Sequence, residues 1–160
     1  MPTPGAILLQ SVSCSDCALG RASGADEGQF CPFIMRSCGR DHLLCRSGDA
    51  ADYVWFVKQG VIGLSRSRVE EDARPDADEV DALRLPGSYV GLECLLADRY
   101  LYSARTLSPA TLCGATRDGF SAWLRQSDER VAAVMRAVLE ELLTDARHPS
   151  AAGAAGRSDG

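Results

Sequence analysis

Gly48-Asp49-Ala50-Ala51-Asp52-Tyr53-Val54-Trp55-Phe56-Val57-Lys58-Gln59-Gly60 organises the rest of the chain around it. Tyr53 through Val57 are all β-branched or aromatic, the composition that fits a pleated, half-buried surface. Turns bracket the run at Gly48-Asp49 and Gln59-Gly60, and Val61-Ile62-Gly63-Leu64-Ser65 reads as the returning strand. Upstream, Leu43-Leu44-Cys45 is a further strand. Downstream, Glu70, Glu71, Asp72, Asp76, Asp78, Glu79 and Asp81 surround Arg74-Pro75-Asp76, a solvated hairpin loop over 69–81. Val80, Leu83 and Leu85 then predict a strand ending at Pro86-Gly87. Tyr89-Val90-Gly91 leads into a short helix through Glu93-Cys94-Leu95-Leu96, and strands follow at Tyr102–Leu107 and Ala110–Ala115. Short strands punctuated by turns at this spacing predict an antiparallel sandwich or barrel.

The last third reads as helical. Asp118 is placed to cap a helix carrying Phe120, Trp123 and Leu124. Ser127 is placed to cap the next, with Asp128 and Glu129 in its first turn. Val131, Met135, Val138 and Leu142 form one seam of that helix, flanked by Val134, Leu139 and Leu143. That face is wide for one small domain. The expectation is a homodimer through the Ser127–Arg147 helix; packing of the whole face on its own sheet is the alternative. The expected division is a cysteine-rich arm over 1–41, a β-roll with its helix over 42–148, and a disordered tail over 149–160. The fold class is mainly β with a C-terminal helix.

Composition narrows the function. The 160 residues are 46% hydrophobic and carry a net charge of −5, which gives no electrostatic case for binding nucleic acid. No run reaches the ~18 apolar residues of a membrane span. Ala6-Ile7-Leu8-Leu9 lacks a preceding Lys or Arg, so no secretory signal is read. The expected location is the cytoplasm, where thiols stay reduced. There are seven cysteines, and Cys14, Cys17, Cys31, Cys38 and Cys45 fall within the first 45 residues. That clustering points to metal or redox chemistry. Cys14-Ser15-Asp16-Cys17 with two later cysteines also suits a tetrahedral zinc site, and Cys38 or Cys45 would suit a thiol switch. Cys31-Pro32 with His42 is a weak haem pattern, and Cys94 beside Leu95 and Leu96 reads as core. No nucleophile elbow or glycine-rich phosphate loop is present, so the chain is not read as an enzyme.

A β-roll followed by a long helix, with glycines at 48, 60, 87 and 91, resembles the sensor domain of the CRP/FNR regulators over residues 42–145. The carriers are the Gly48–Gly60 block and Leu85-Pro86-Gly87-Ser88-Tyr89-Val90-Gly91. The resemblance implies a cyclic-nucleotide-binding-like β-roll, a double-stranded β-helix or jelly roll, with a dimerisation helix. Cyclic-nucleotide members place a Glu just after the Gly91 position for the ribose, and an Arg before a Ser-Ala pair for the phosphate. Here those positions read Leu92, with Glu93 adjacent, and Tyr102, before Ser103-Ala104. A buried phosphate without a cationic partner is strongly disfavoured, so cyclic nucleotide is not the expected ligand.

The oxygen-sensing branch instead holds a [4Fe-4S] cluster on three amino-terminal cysteines and one from the roll. Cys14, Cys17, Cys31 in Phe30-Cys31-Pro32-Phe33, and Cys113 in Thr111-Leu112-Cys113-Gly114 match it, with Cys38 as an alternative ligand. The thirteen residues between Cys17 and Cys31 are more than is usual in that branch. The resemblance implies a redox or oxygen sensor. Family regulators continue into a winged helix-turn-helix, whereas twelve residues follow His148 here. The expectation is therefore no direct DNA contact and a readout through a protein partner.

Overall fold

The computed structural model describes residues 31–66 and 80–147. Cys14, Cys17, most of the acidic stretch 69–81 and the 149–160 tail lie outside the described residues. The strands are β1 (Ile34–Cys38), β2 (Leu43–Cys45), β3 (Tyr53–Gln59), β4 (Ile62–Ser65), β5 (Ala82–Arg84), β6 (Tyr89–Val90), β7 (Ser103–Thr106) and β8 (Ala110–Thr116). A 3₁₀ turn at Leu92–Leu95 separates β6 from β7, and helices α1 (Arg117–Arg125) and α2 (Asp128–Arg147) follow β8. The strands pair antiparallel in two four-stranded sheets, β1-β8-β3-β6 and β2-β7-β4-β5. This is the expected β-roll with a C-terminal helix.

The roll begins earlier than the boundary at residue 42. Ile34–Cys38, assigned above to the arm, is an edge strand in continuous register with β8, from Ile34 opposite Gly114 to Cys38 opposite Ala110. Its long-range pairing makes it a strand; it has no hydrophobic alternation of its own.

Glycine sets two of the turns by necessity. Gly60 has φ 91°, and a Cβ there would lie 2.6 Å from the Pro109 carbonyl oxygen. Gly91 has φ 88°, and a Cβ there would lie 2.7 Å from the Tyr53 carbonyl oxygen. Side chains are strained in this backbone region even before such a clash. Gly48 and Gly87 also have positive φ, so the four turns read from the sequence are all present.

Strand β8, inside the β1-β8-β3-β6 sheet, is buried on both faces from Ala110 to Cys113, which is why it reads Ala110-Thr111-Leu112-Cys113 without polar alternation. Register sorts its side chains. Phe56 opposes Cys113 and Val54 opposes Ala115 on one face, and Val57 opposes Leu112 on the other. The first face meets α1 through an aromatic cluster. Phe33 lies edge-on to Phe120 at 5.8 Å and to Trp123 at 5.4 Å, and Tyr89 links Phe56 at 5.1 Å to Phe120 at 6.1 Å. Edge-on and tilted ring pairs of this kind add to the area buried. The second face joins Ile62, Leu64 and Ala104 of the other sheet in the core.

Thr116, not Asp118, caps α1. Its Oγ1 accepts the Gly119 N–H at 3.1 Å, while Asp118 sits in the first turn where the helix dipole favours it. At the α1–α2 elbow the Ser127 carbonyl accepts from the Arg130 and Val131 amides. Arg130 is 1% exposed. It donates to the Trp123 carbonyl at 2.9 Å and to Gln126 Oε1 at 2.8 Å, with its guanidinium 5.0 Å from the Trp123 ring. This cation over a ring pins the two helices together.

Helix α2 divides into two stripes. Arg130, Val134, Val138, Glu141 and Asp145 are buried or half-buried, at the spacing of one helical face. Val131, Met135, Leu139, Leu142 and Leu143 are exposed, Leu139 at 57% and Leu142 at 60%. The wide apolar face therefore does not all pack on its own sheet.

Candidate functional site

Between the β2-β7-β4-β5 sheet and α2 lies a cavity of about 90 Å³, in the position the resemblance assigns to an effector. Leu64 of β4, Ala104 of β7, Cys45 of β2, and Tyr89-Val90-Gly91-Leu92-Glu93 line it, together with Tyr102, Arg84 and Glu141. Leu92 and Tyr102, at the two positions where cyclic-nucleotide members carry Glu and Arg, thus both face the cavity. Glu93 is committed elsewhere: its Oε1 accepts the Leu101 N–H at 3.3 Å. Small-molecule pockets run to roughly 300–1,000 Å³, so this one holds a few waters at most.

The chain's own side chains close it. Arg84 Nε lies 3.4 Å from Glu141 Oε2, with both side chains 13% exposed, and Arg84 Nη1 lies 3.3 Å from Asp145 Oδ1. Glu141 Oε1 accepts the Tyr89 N–H at 3.0 Å. Burial raises the Glu141 carboxyl above its ordinary range, and the Tyr89 amide and the Arg84 guanidinium partly offset that. One strand residue and one helix residue thereby fasten α2 over the cavity.

The sequence reading missed this pair. Leu83 and Leu85, taken as the apolar side of a strand, are exposed, and Ala82 and Arg84 turn toward the core side. The available signal was Glu141 and Asp145, four apart and in line with Val134 and Val138 on one face of the helix. Their cation is distant in sequence and carries no local mark.

Tyr100 supports the same corner. Its hydroxyl accepts the Tyr53 N–H at 2.9 Å and donates to the Tyr53 carbonyl at 2.8 Å, and burial pushes the phenol up. Tyr100 is therefore a packing residue beside Trp55, at 6.0 Å between rings.

The cysteines fall in distinct environments. Burial, reinforced by the nearby Glu93 carboxylate, pushes the Cys45 thiol up to about 12. Burial pushes Cys94 up to about 11. Both stay protonated and behave as core residues. Cys113 is buried on the sheet face that Phe56 shares, opposite Met35. Cys38 pairs with Ala110, three residues from Cys113, so alternation turns Cys38 to the opposite face. Burial also raises the Cys38 thiol. Cys31 is exposed, two residues before Phe33, whose ring lies under α1 on the Cys113 face. Cys113 therefore belongs to one face of the sheet and Cys38 to the other, while Cys31 precedes β1 at an exposed position. Among the described residues, no three His, Cys, Asp or Glu side chains are arranged to hold a metal ion.

No helix among the described residues is long and apolar enough to cross a membrane. No curated protein matches the chain by sequence. The fold is similar to that of solved regulators. The N-terminal domain of a transcriptional regulator from Streptomyces coelicolor A3(2) is 22% identical with a TM-score of 0.50, over 81% of this chain and 84% of that one. The catabolite activator protein of Thermus thermophilus is 22% identical with a TM-score of 0.57, over 72% of this chain and 52% of that one. The c-di-GMP responsive global regulator CLP of Xanthomonas campestris is 20% identical with a TM-score of 0.59, over 72% and 57%. The chain therefore spans about half the length of these last two regulators. The cyclic nucleotide-binding domain family matches residues 35–127, more than half of the chain. With that match and its two-sheet roll, the chain belongs to the cyclic nucleotide-binding domain family.

Proposed function

We propose that this chain is a regulatory redox or oxygen sensor that holds a [4Fe-4S] cluster on Cys14, Cys17, Cys31 and Cys113, and does not take a cyclic nucleotide as its signal. The observation that supports this reading is the sorting of the cysteines. Thiolates are the ligands of such clusters, and Cys45 belongs to the other sheet and Cys94 to the 3₁₀ turn, whereas Cys113 stands on β8. Cys38 lies across the sheet from Cys113. On this reading exposed Cys31, just before β1, and Cys113 on β8 are two of the four donors. Cys14 and Cys17 supply the other two from outside the described residues.

Bound there, the cluster supplies an oxygen-sensitive, redox-active iron centre. Cys113 contributes a fixed point on β8, while the other three ligands precede β1. Ligation by all four ties the amino-terminal segment to the sheet face on which α1 packs. Helix α1 meets α2 through Trp123 and Arg130. A change at that face is thereby passed to the helix whose outer stripe is exposed.

We read that stripe as a homodimer contact and the dimer as the form a protein partner recognises. The small effector cavity and the pairing of Arg84 with Glu141 and Asp145 argue against a nucleotide phosphate at the other end of the roll.

Serine replacement at each cysteine tests the assignment. Iron and acid-labile sulfide in anaerobic preparations are expected to fall for Cys14→Ser, Cys17→Ser, Cys31→Ser and Cys113→Ser. They are expected to hold for Cys45→Ser and Cys94→Ser. Equal loading in all six variants, or zinc in place of iron, would overturn it.

A further inference from the structure

A second and larger cavity, about 610 Å³, opens between the two sheets where the edge strands β1 and β2 flank the roll. Its walls are apolar: Ile34 of β1, Leu44 of β2 and Leu112 of β8, with Trp55 of β3 across the floor. Tyr53 lies nearly parallel to Trp55 at 6.2 Å and 28°, which presents a flat aromatic wall. Gly114 lies opposite Trp55 in the ladder. A Cβ on Gly114 would stand 3.2 Å from Trp55 Cδ1, so the missing side chain is part of what keeps the space open. Glycine inside a strand marks a place where another group approaches closely.

The charge of the cavity differs from that of the protein. The chain carries a net charge of −5, yet none of the cavity's described lining residues is acidic, and Arg36 and His42 lie on it. A flat apolar slot of several hundred cubic ångströms with a cation at its side has the form of a small-molecule site.

We propose that this cavity binds a small planar aromatic anion. Its rings lie against Trp55 and Tyr53, and its acid group pairs with Arg36. The site shares no lining residue with the small cavity beneath α2, and neither variant below replaces a cysteine.

The fluorescent aromatic sulfonate anilinonaphthalene sulfonate, and its uncharged counterpart phenylnaphthylamine, test the proposal on the full chain. The sulfonate is expected to bind saturably, one per chain. Arg36→Glu, at an exposed position, raises its Kd about tenfold or more, the scale of a lost charge-assisted contact. The same variant leaves the neutral probe's Kd unchanged. Gly114→Val, which fills the slot, abolishes binding of both probes. Sulfonate binding that is unsaturable, or unchanged in Arg36→Glu, would overturn the proposal. So would neutral-probe binding as tight as that of the sulfonate.

Discussion

Arg84 of β5 and Glu141 of α2 meet at 3.4 Å across the mouth of the small cavity, far apart in sequence and both largely withdrawn from solvent. Removing the cation leaves a buried carboxylate without its charge partner, a costlier state than removing both groups. Arg84→Ala is expected to lower stability by about 2–3 kcal/mol, below the full cost of breaking a deeply buried pair because Asp145 is more exposed. Arg84→Lys is expected to restore only part of it, since Arg84 uses two nitrogens on two carboxylates. Urea denaturation of the three proteins measures both effects.

The same carboxylate gives the protein a pH signature. Burial raises the Glu141 carboxyl, so the folded state holds its proton more tightly than the unfolded chain does. This contribution is full below the ordinary carboxylate value and is lost as pH rises through the raised value. Arg84, Asp145 and the Tyr89 amide surround the group and stay in place in Glu141→Gln. The wild-type advantage over Glu141→Gln is therefore expected to shrink from acid toward neutral pH. Parallel stability curves for the two proteins would contradict the assignment.

Two glycine turns separate backbone strain from collision. Gly48 has φ 89° with nothing within 4 Å of a Cβ, whereas Gly60 adds a 2.6 Å approach to Pro109. Gly48→Ala is expected to cost about 1 kcal/mol, from the left-handed backbone alone. Gly60→Ala is expected to cost at least twice that, read as the difference in thermal or urea midpoints.

The outer stripe of α2 is the expected dimer seam. Leu142→Glu places a charge in it while touching none of the roll-facing residues. Sedimentation is expected to show the wild type as a dimer and this variant as a folded monomer. A variant that remains dimeric would move the contact elsewhere.

Much of the roll was legible because its turns are local chemistry. Gly48, Gly60, Gly87 and Gly91 announce left-handed backbone, and Tyr53–Val57 announces a strand between two of them. What stayed hidden depends on distant partners. Ile34–Cys38 is largely exposed and is a strand only because β8 pairs with it. Thr116 ends β8 and caps α1 at once, so the cap fell two residues before the position chosen on propensity. In the candidate site, Leu92 and Tyr102 could be placed from their motif neighbours, but Arg84 and Glu141 could not. The separation of Cys38 from Cys113 follows from register, which spacing along the chain does not reveal.

The most direct test of the sensor reading is iron and acid-labile sulfide per chain in protein purified without oxygen, followed through exposure to air. The account predicts about four of each, on the stoichiometry of a [4Fe-4S] centre, with visible charge-transfer absorbance that bleaches in air. Colourless protein with zinc, or with no metal and no response to air, would contradict it.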